Sequence, residues 1–421
     1  KPCLRLWISS LTDRAIREGL DNLKPGSDYD KLYRAAEARA IADWEIGLNA
    51  TQALSIAAGQ GIYSLGRVQT PVLAAISRRY RERENHISSD SWPIYISLQK
   101  DGILFKMRRT QDLPDKESAT MFFQDCKLAH QAQITGISHS VKEILPPDLL
   151  DLTQLQKEAN IRYGYTASEV YDIAQSLYEK KLISYPRTSS RYLTEDVLDS
   201  LSPIMARLLS WELFPAAKGT GGIDISSLSR HVINSEKANV HHAIIITGIR
   251  PGNMSEKEMQ VYRLVAGRML ETFMAPCRIE TTNVEAVCAA QHFKAEQTRI
   301  IEAGWHDVFM RSDMVPKSGY SVNELPEVEK SDTLNVCGCN MVHKKQLPVN
   351  PFTDAELVEY MEQNGLGTVS SRTNIIRTLV NRKYIRYSGK YIVPTPKGMF
   401  TYETIRGKKI ADTSLTADWE K

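Results

Sequence analysis

Two stretches of this chain carry a two-residue hydrophobic period, and a long helical block stands between them. Ile94, Ile96 and Leu98 alternate with Tyr95, Ser97 and Gln99. Lys100-Asp101-Gly102 reads as a hairpin turn, and Ile103 to Arg109 returns as a strand. Thr281 to Ile301 shows the same alternation, rich in Thr, Val and Ile. Residues 141–275 between them are mostly helical in pattern. Consecutive domains do not account for an interrupted β region. The order makes sense if both strand groups join one sheet and the helical block is an insertion carried on it. The chain is therefore expected to be α+β and multidomain.

At 421 residues the chain can bury several cores. Its 42% apolar and 24% charged content are those of a soluble globular protein. Net charge is +3, from 53 basic and 50 acidic residues, so any basic surface must be local. Six cysteines are scattered rather than framed as disulfides. Cys337-Gly-Cys339 with His343 lacks a fourth ligand at zinc spacing, so no metal is expected in this chain. No apolar run reaches the ~20 residues of a membrane helix and no signal peptide is present, which points to a cytoplasmic protein.

The densest chemistry lies in Lys181 to Leu193, Lys-Leu-Ile-Ser-Tyr-Pro-Arg-Thr-Ser-Ser-Arg-Tyr-Leu. It follows an amphipathic helix with Val170, Ile173, Ala174, Leu177 and Tyr178 on one face, and Thr166 and Glu169 have capping-box spacing at its start. Pro186 forces an extended corner at Tyr185, with Arg187 and Arg191 close behind. A phenol between cations is a candidate nucleophile for a phosphodiester, since positive neighbours hold both phenolate and phosphate. The same spacing also fits a buried tyrosine at a helix end.

Other segments carry weaker signals. Ser64-Leu65-Gly66-Arg67-Val68-Gln69-Thr70-Pro71 reads as a glycine turn entering a helix that runs to Arg83, and it suits either simple capping or a phosphate at a helix N-terminus. Thr12 to Leu23 and Tyr29 to Leu54 have helical patterns. Pro146-Pro147 leads into a helix through Leu155-Gln156. Lys218-Gly219-Thr220-Gly221-Gly222 lacks P-loop spacing, so no ATP site is expected. His241 and His242 point to opposite faces of an extended segment and so do not chelate one metal; one imidazole suits a phosphate contact, although such a pair is more often structural. After a loop-rich join around residues 311–350, Thr353 and Glu356 cap a helix. Gly365 to Arg372 opens a basic helix reaching Asn381, and a hairpin turns at Ser388-Gly389. Helix plus wing is a common nucleic-acid-binding arrangement, and a small α+β core with a solvated basic face fits as well.

Leu182 to Leu193 resembles the active-site motif of type IA DNA topoisomerases, nearest to the topoisomerase III branch. The segments at residues 5–12, 42–51, 64–71, 146–156, 240–247, 365–372, 394–398 and 415–421 resemble further family elements in the same order. Departures fall at Ser189, Val240, Ile246 and Val369, where the family has Asp, an acidic residue, Pro and Pro. The resemblance implies Tyr185, Arg187 and His241 as catalytic residues. It implies DNA contacts at Ser64, Gly66, Arg67, Val68, Gln69, Thr70, Gln156, Arg191, His242, Thr368, Ser371 and Arg372. It also implies a toroid: a helical base (1–79 and 346–421, winged-helix-like in its second part), a β arch (80–140 and 276–345) and a helical tip with the tyrosine (141–275). Single-stranded DNA would lie on the base and duplex DNA in the central hole of a monomer. The family's N-terminal TOPRIM domain, which holds Mg2+, has no counterpart here, so the chain is expected to be a piece without it, cleaving poorly or not at all alone. The expected reaction is ATP-independent cleavage and rejoining through a 5′-phosphotyrosine, relaxing or decatenating DNA. The competing expectations are a non-catalytic single-strand-binding clamp and a tyrosine recombinase, which uses the opposite phosphate end.

Overall fold

The computed structural model describes residues 3–8, 13–211, 213–214, 232–238, 241–309 and 317–420. The expected helix start at Thr12, the Lys218–Gly222 stretch and the departure at Val240 lie outside them. The described chain divides into two compact units. One comprises residues 1–85, 147–273 and 349–421; the other comprises residues 86–146 and 274–348.

The first unit is mainly helical. A two-strand ribbon, β1 (Leu4–Arg5) with β2 (Lys24–Pro25), brackets helix α1 (Asp13–Asp21). Helix α2 (Asp30–Ala58) ends at Gly59, whose φ of 73° supplies the left-handed cap. Helix α3 (Gln69–Glu84) is buried from Thr70 to Ser77. The second unit opens with β3 (Asp90–Ser91), β4 (Ile94–Lys100) and β5 (Ile103–Arg109). Asp101 and Gly102 both take positive φ, 51° and 82°, which is the turn that matches strand twist. Helix α4 (Lys116–Leu128) and the long strand β6 (Gln131–Ile144) complete its first part.

The helical insertion follows as α5 (Leu152–Tyr163), α6 (Ala167–Glu179), α7 (Glu195–Ser210) and α8 (Glu256–Thr272). Helix α8 is almost wholly buried from Val261 onward. Its Arg268 is neutralised there by Glu271 at 2.9 Å and Glu158 at 2.6 Å, as a buried guanidinium requires. The chain then returns to the second unit as β7 (Cys277–Cys288), β8 (Gln291–Glu302), β9 (Thr333–Met341) and β10 (Lys344–Lys345).

The two strand groups do share a sheet. Strands β4, β5, β8, β7, β6 and β9 close in that order into a barrel, with β6 against β7 and β5 against β8 joining the early group to the late one. Strand β9 corrects the expectation of a loop-rich join over residues 311–350. Its inward residues are Leu334, Val336, Cys339 and Met341, because the register slips at a bulge opposite Ser97 and Leu98. The slip breaks the two-residue period in sequence while keeping the core continuous.

The last stretch belongs to the first unit: α9 (Asp354–Gln363), α10 (Val369–Asn381), β11 (Ile385–Ser388), β12 (Tyr391–Pro394), α11 (Pro396–Ile405) and α12 (Thr413–Glu420). Val72, Leu73 and Ile76 of α3 pack with Leu357, Val358, Ile376, Leu379 and Ile392 in one core. Gly398 is obligatory there, because a Cβ at that position would collide with the Tyr384 carbonyl.

Candidate active site

Helix α6 begins in a full capping box, Thr166 with Glu169, which satisfies donors at its N-terminus. It ends with Lys181 at φ 59° and the Leu182 N–H bonded back to the Leu177 carbonyl. The chain leaves that cap in extended form and is stitched to residues 241–247 on both sides of Tyr185. Ser184 N–H donates to the Ile245 carbonyl at 2.8 Å, Ser184 Oγ donates to the Ala243 carbonyl, and Thr188 Oγ1 donates to the His241 carbonyl at 2.9 Å. Pro186 is buried at the corner. Tyr185 is thus placed by backbone pairing rather than by its own side chain.

Tyr185 is half-buried. Its ring meets His241 at 4.6 Å and Tyr178 edge-on at 5.3 Å between centroids. Arg187 reaches back to α6, where Nη2 donates to Gln175 Oε1 at 3.2 Å and the guanidinium lies 5.1 Å from the Tyr171 ring centroid. Its Nε is buried with no partner among the described residues. Arg187, Thr188, Ser189 and His241 line a cavity of about 230 Å³ together with Thr368, Val369 and Ser370 at the start of α10. The N–H groups of a helix's first turn have no intrahelical partners and point out of its end, so this wall is electropositive. Burial lowers both imidazoles below their ordinary range, so His241 and His242 are neutral at pH 7. His241 faces the cavity, whereas His242 Nδ1 lies 2.7 Å from the Ala243 carbonyl.

The other candidates divide into three groups. Ser64 and Gln69 gather at Arg382, whose Nη1 donates to Ser64 Oγ at 3.0 Å and to Gln69 Oε1 at 2.8 Å. Gly66 N–H donates to Thr70 Oγ1, and Val68 sits close to Gly367, just ahead of α10. Ser371 folds onto Thr368, accepting its N–H at 2.8 Å. A second group is turned inward. Arg67 is 3% exposed and bound to Asp43 at 2.6 Å, and Gln156 is 2% exposed and donates to the Ala167 carbonyl and Thr373 Oγ1. Arg372 is 8% exposed and donates to Thr153 Oγ1 and Glu362. Arg191 forms the third group, in a separate cavity of about 550 Å³, where its Nε donates to Asp151 at 2.7 Å. Burial lifts the Asp151 carboxyl above its usual range despite that cation.

Two departures have visible consequences. Ile246, standing where the family has proline, donates its N–H to Met269 Sδ at 3.2 Å. Val369 occupies the first turn of α10, where proline is well tolerated, and adds one more N–H there. Tyr171 and Gln175 were not singled out in sequence, and Tyr178 was read only as part of the apolar face. Their spacing of four and three puts them on one face of α6, which was the available signal. Cys337 is exposed at the β9 bulge while Cys339 packs against the barrel core, and His343 stacks on Trp92 and bonds Asp90.

The sequence model of the DNA topoisomerase family matches residues 27–421. The chain belongs to that family, to its type IA, topoisomerase III-like members. DNA topoisomerase 3 of Bacillus licheniformis is 33% identical over 446 residues, covering 100% of this chain and 61% of the relative. That of Shouchella clausii is 34% identical over 452 residues, covering 100% of this chain and 60% of the relative. The chain thus spans about three-fifths of the length of these curated relatives. Full-length topoisomerase I from Thermotoga maritima shares the fold, with a TM-score of 0.74 at 22% identity over 98% of this chain and 68% of that one. No helix among the described residues is long and apolar enough to cross a membrane.

Proposed function

We propose that this chain contributes the DNA-cleaving tyrosine of a type IA topoisomerase that cuts and rejoins single-stranded DNA. Tyr185 Oη attacks a backbone phosphorus. The Oη–P bond forms, the P–O3′ bond breaks, and the phenolic proton ends on the released 3′ hydroxyl. The 5′ phosphate stays on Tyr185, so the bond energy is conserved without ATP. Return of the 3′ hydroxyl reverses the step after another strand has passed, which relaxes or decatenates DNA. Arg187 brings a permanent charge, neutral His241 a hydrogen bond, and the first turn of α10 a further positive field for the crowded phosphate. The observation that carries this reading is the convergence of these three groups on one cavity beside the Tyr185 ring.

Ser64, Gln69, Thr368 and Ser371 are placed to bond a strand. Gly66, Val68 and Thr70 shape the turn beneath it. Arg67, Gln156 and Arg372 serve by holding elements in place, and Arg191 and His242 support the Tyr185 loop. The base, arch and tip division at residues 79/80, 140/141, 275/276 and 345/346 is part of the same proposal.

Among the described residues, guanidinium, imidazole and hydroxyl groups line the cavity without a carboxylate. Among the described residues no group of three or more His, Cys, Asp or Glu is arranged to hold a metal ion. These residues do not fit Mg2+, so a divalent ion used in cleavage would be held by a further domain. Helix α2 supports such a neighbour: Ile41, Trp44 and Ile56 are 53%, 65% and 79% exposed, an apolar stripe of the kind another domain covers.

The test is denaturant-trapping of covalent DNA adducts in the enzyme completed with a TOPRIM domain. Tyr185→Phe is expected to keep single-strand binding and lose every adduct. An adduct in that variant, or one joined through the 3′ phosphate, sinks the proposal. The chain alone should bind weakly and cleave poorly; efficient cleavage by it would contradict the division of labour.

A further inference from the structure

Farther along α3 from Gln69, a second concave surface opens. Arg78, Tyr360, Tyr402, Arg406, Lys408 and Lys409 line a cavity of about 510 Å³ floored by Ala74 and Ala75. Ala75, Arg78 and Tyr360 also line a neighbouring hollow of about 550 Å³, where the Arg79 guanidinium lies 4.1 Å from the Phe352 ring centroid. Among the described residues the joined groove has five cations (Arg78, Arg79, Arg406, Lys408, Lys409) against two carboxylates (Glu82, Asp412). In a chain whose whole excess is +3, that is a local concentration of charge.

The side chains are poised rather than engaged. Lys408 and Lys409 are exposed and have no side-chain partner among the described residues. Among the described residues Arg78 has only a long 3.5 Å contact to the Tyr360 hydroxyl, together with the field of Asp412. Arg406 shares Glu403, at 3.2 Å, with Arg81. The half-buried rings of Tyr360 and Tyr402 supply flat apolar faces between these cations. Cations that follow a backbone, interleaved with rings that accept any base, are the means by which a protein holds a single strand without reading its sequence. An acidic protein surface would use the charges but leave the rings idle.

We propose that this groove is a second contact for single-stranded nucleic acid, separate from the cavity at Arg187. Arg78, Arg406, Lys408 and Lys409 meet phosphates, and a base stacks on Tyr360 or Tyr402. The inference rests on the single-strand-binding role proposed above, and it extends the footprint beyond the cleavage point.

Fluorescence anisotropy with short (about 6-nucleotide) and long (about 25-nucleotide) oligothymidylate tests it on the full chain. The double variant Lys408→Glu/Lys409→Glu should bind the long strand about tenfold more weakly, with a salt dependence shallower by about two phosphate contacts. Binding of the short strand at Arg187 should be unchanged. Tyr402→Leu, which keeps apolar bulk, should lose about fivefold on the long strand alone. A long-strand loss no greater than that from Lys127→Glu/Lys142→Glu on the barrel unit would overturn the proposal. So would polyglutamate competing as well as DNA with Tyr402→Leu silent, which reassigns the groove to an acidic protein. If the long strand binds through the groove while the short strand does not bind at all, the reading of the Arg187 cavity fails and the groove stands.

Discussion

Inside the barrel, Ile94, Ile96, Leu98, Met107, Ile134 and Phe293 are all at most 1% exposed, and every strand is paired on both sides. Where α5 and α6 meet α9 and α10, only Ala167 of the two insertion helices joins the neighbouring apolar core, among the described residues. Hydrogen bonds and ion pairs link these helices elsewhere. Arg372 binds Thr153 and Glu362, Lys157 binds Glu359, Gln156 binds Thr373, and Arg377 binds Ser168 and Asp172. Asp354 accepts from the Tyr387 hydroxyl at 3.0 Å and from the Ala167 N–H. Water can replace hydrogen bonds and ion pairs but offers nothing in exchange for buried methyl groups. The barrel is therefore built to stay shut, and the seam to part at smaller cost. Strand passage of the proposed kind needs a joint like the second beside the helix that supports Tyr185.

The largest expected effect tests the barrel. Phe293→Ala should remove about 3–5 kcal/mol, read as lost hydrogen-exchange protection across β7 and β8. A loss under about 1 kcal/mol would mean that the barrel is no tighter than the seam. Arg372→Met comes next. Its pair with Glu362 is 10% and 27% exposed, so the loss should be about 2 kcal/mol in urea unfolding of the helical unit. A loss matching Phe293→Ala would erase the contrast.

Asp354 gives the seam a pH signature. Burial pushes its carboxyl up to about 6, against hydrogen bonds that favour the charge. The folded value lies above the ~3.9 of an unfolded chain. Its contribution to stability is therefore full below pH ~4 and lost as pH rises through about 6. Asp354→Asn should flatten stability between those limits by on the order of 3 kcal/mol, and an unchanged curve would refute the assignment. Smallest is Lys157→Ala. That pair is 32% and 33% exposed, so the change should stay within about 0.5 kcal/mol and shrink further in salt.

Much of the fold was legible in sequence. The capping boxes at Thr166 and Thr353, the turn at Asp101-Gly102 and the sharing of one sheet by two distant strand groups all follow from local chemistry or from residue order. Strand β9 was missed because a bulge shifted its inward residues out of a clean period. The candidate site was legible as a set of residue types but not as an arrangement. Arg67, Gln156 and Arg372 look the same in sequence whether they face a ligand or another side chain.

Local sequence by itself determined where helices start and stop, where the chain must turn, and which phenol stands at a proline corner beside an arginine. These depend on neighbours within a few residues, and short-range sterics and capping settle them. Only the tertiary structure decided which polar groups already have partners. It brought Arg187 and His241 to the first turn of α10, and it turned Arg372 toward Thr153. Those choices depend on residues more than a hundred positions apart meeting in space, and on the cost of burying any charge that meets nothing.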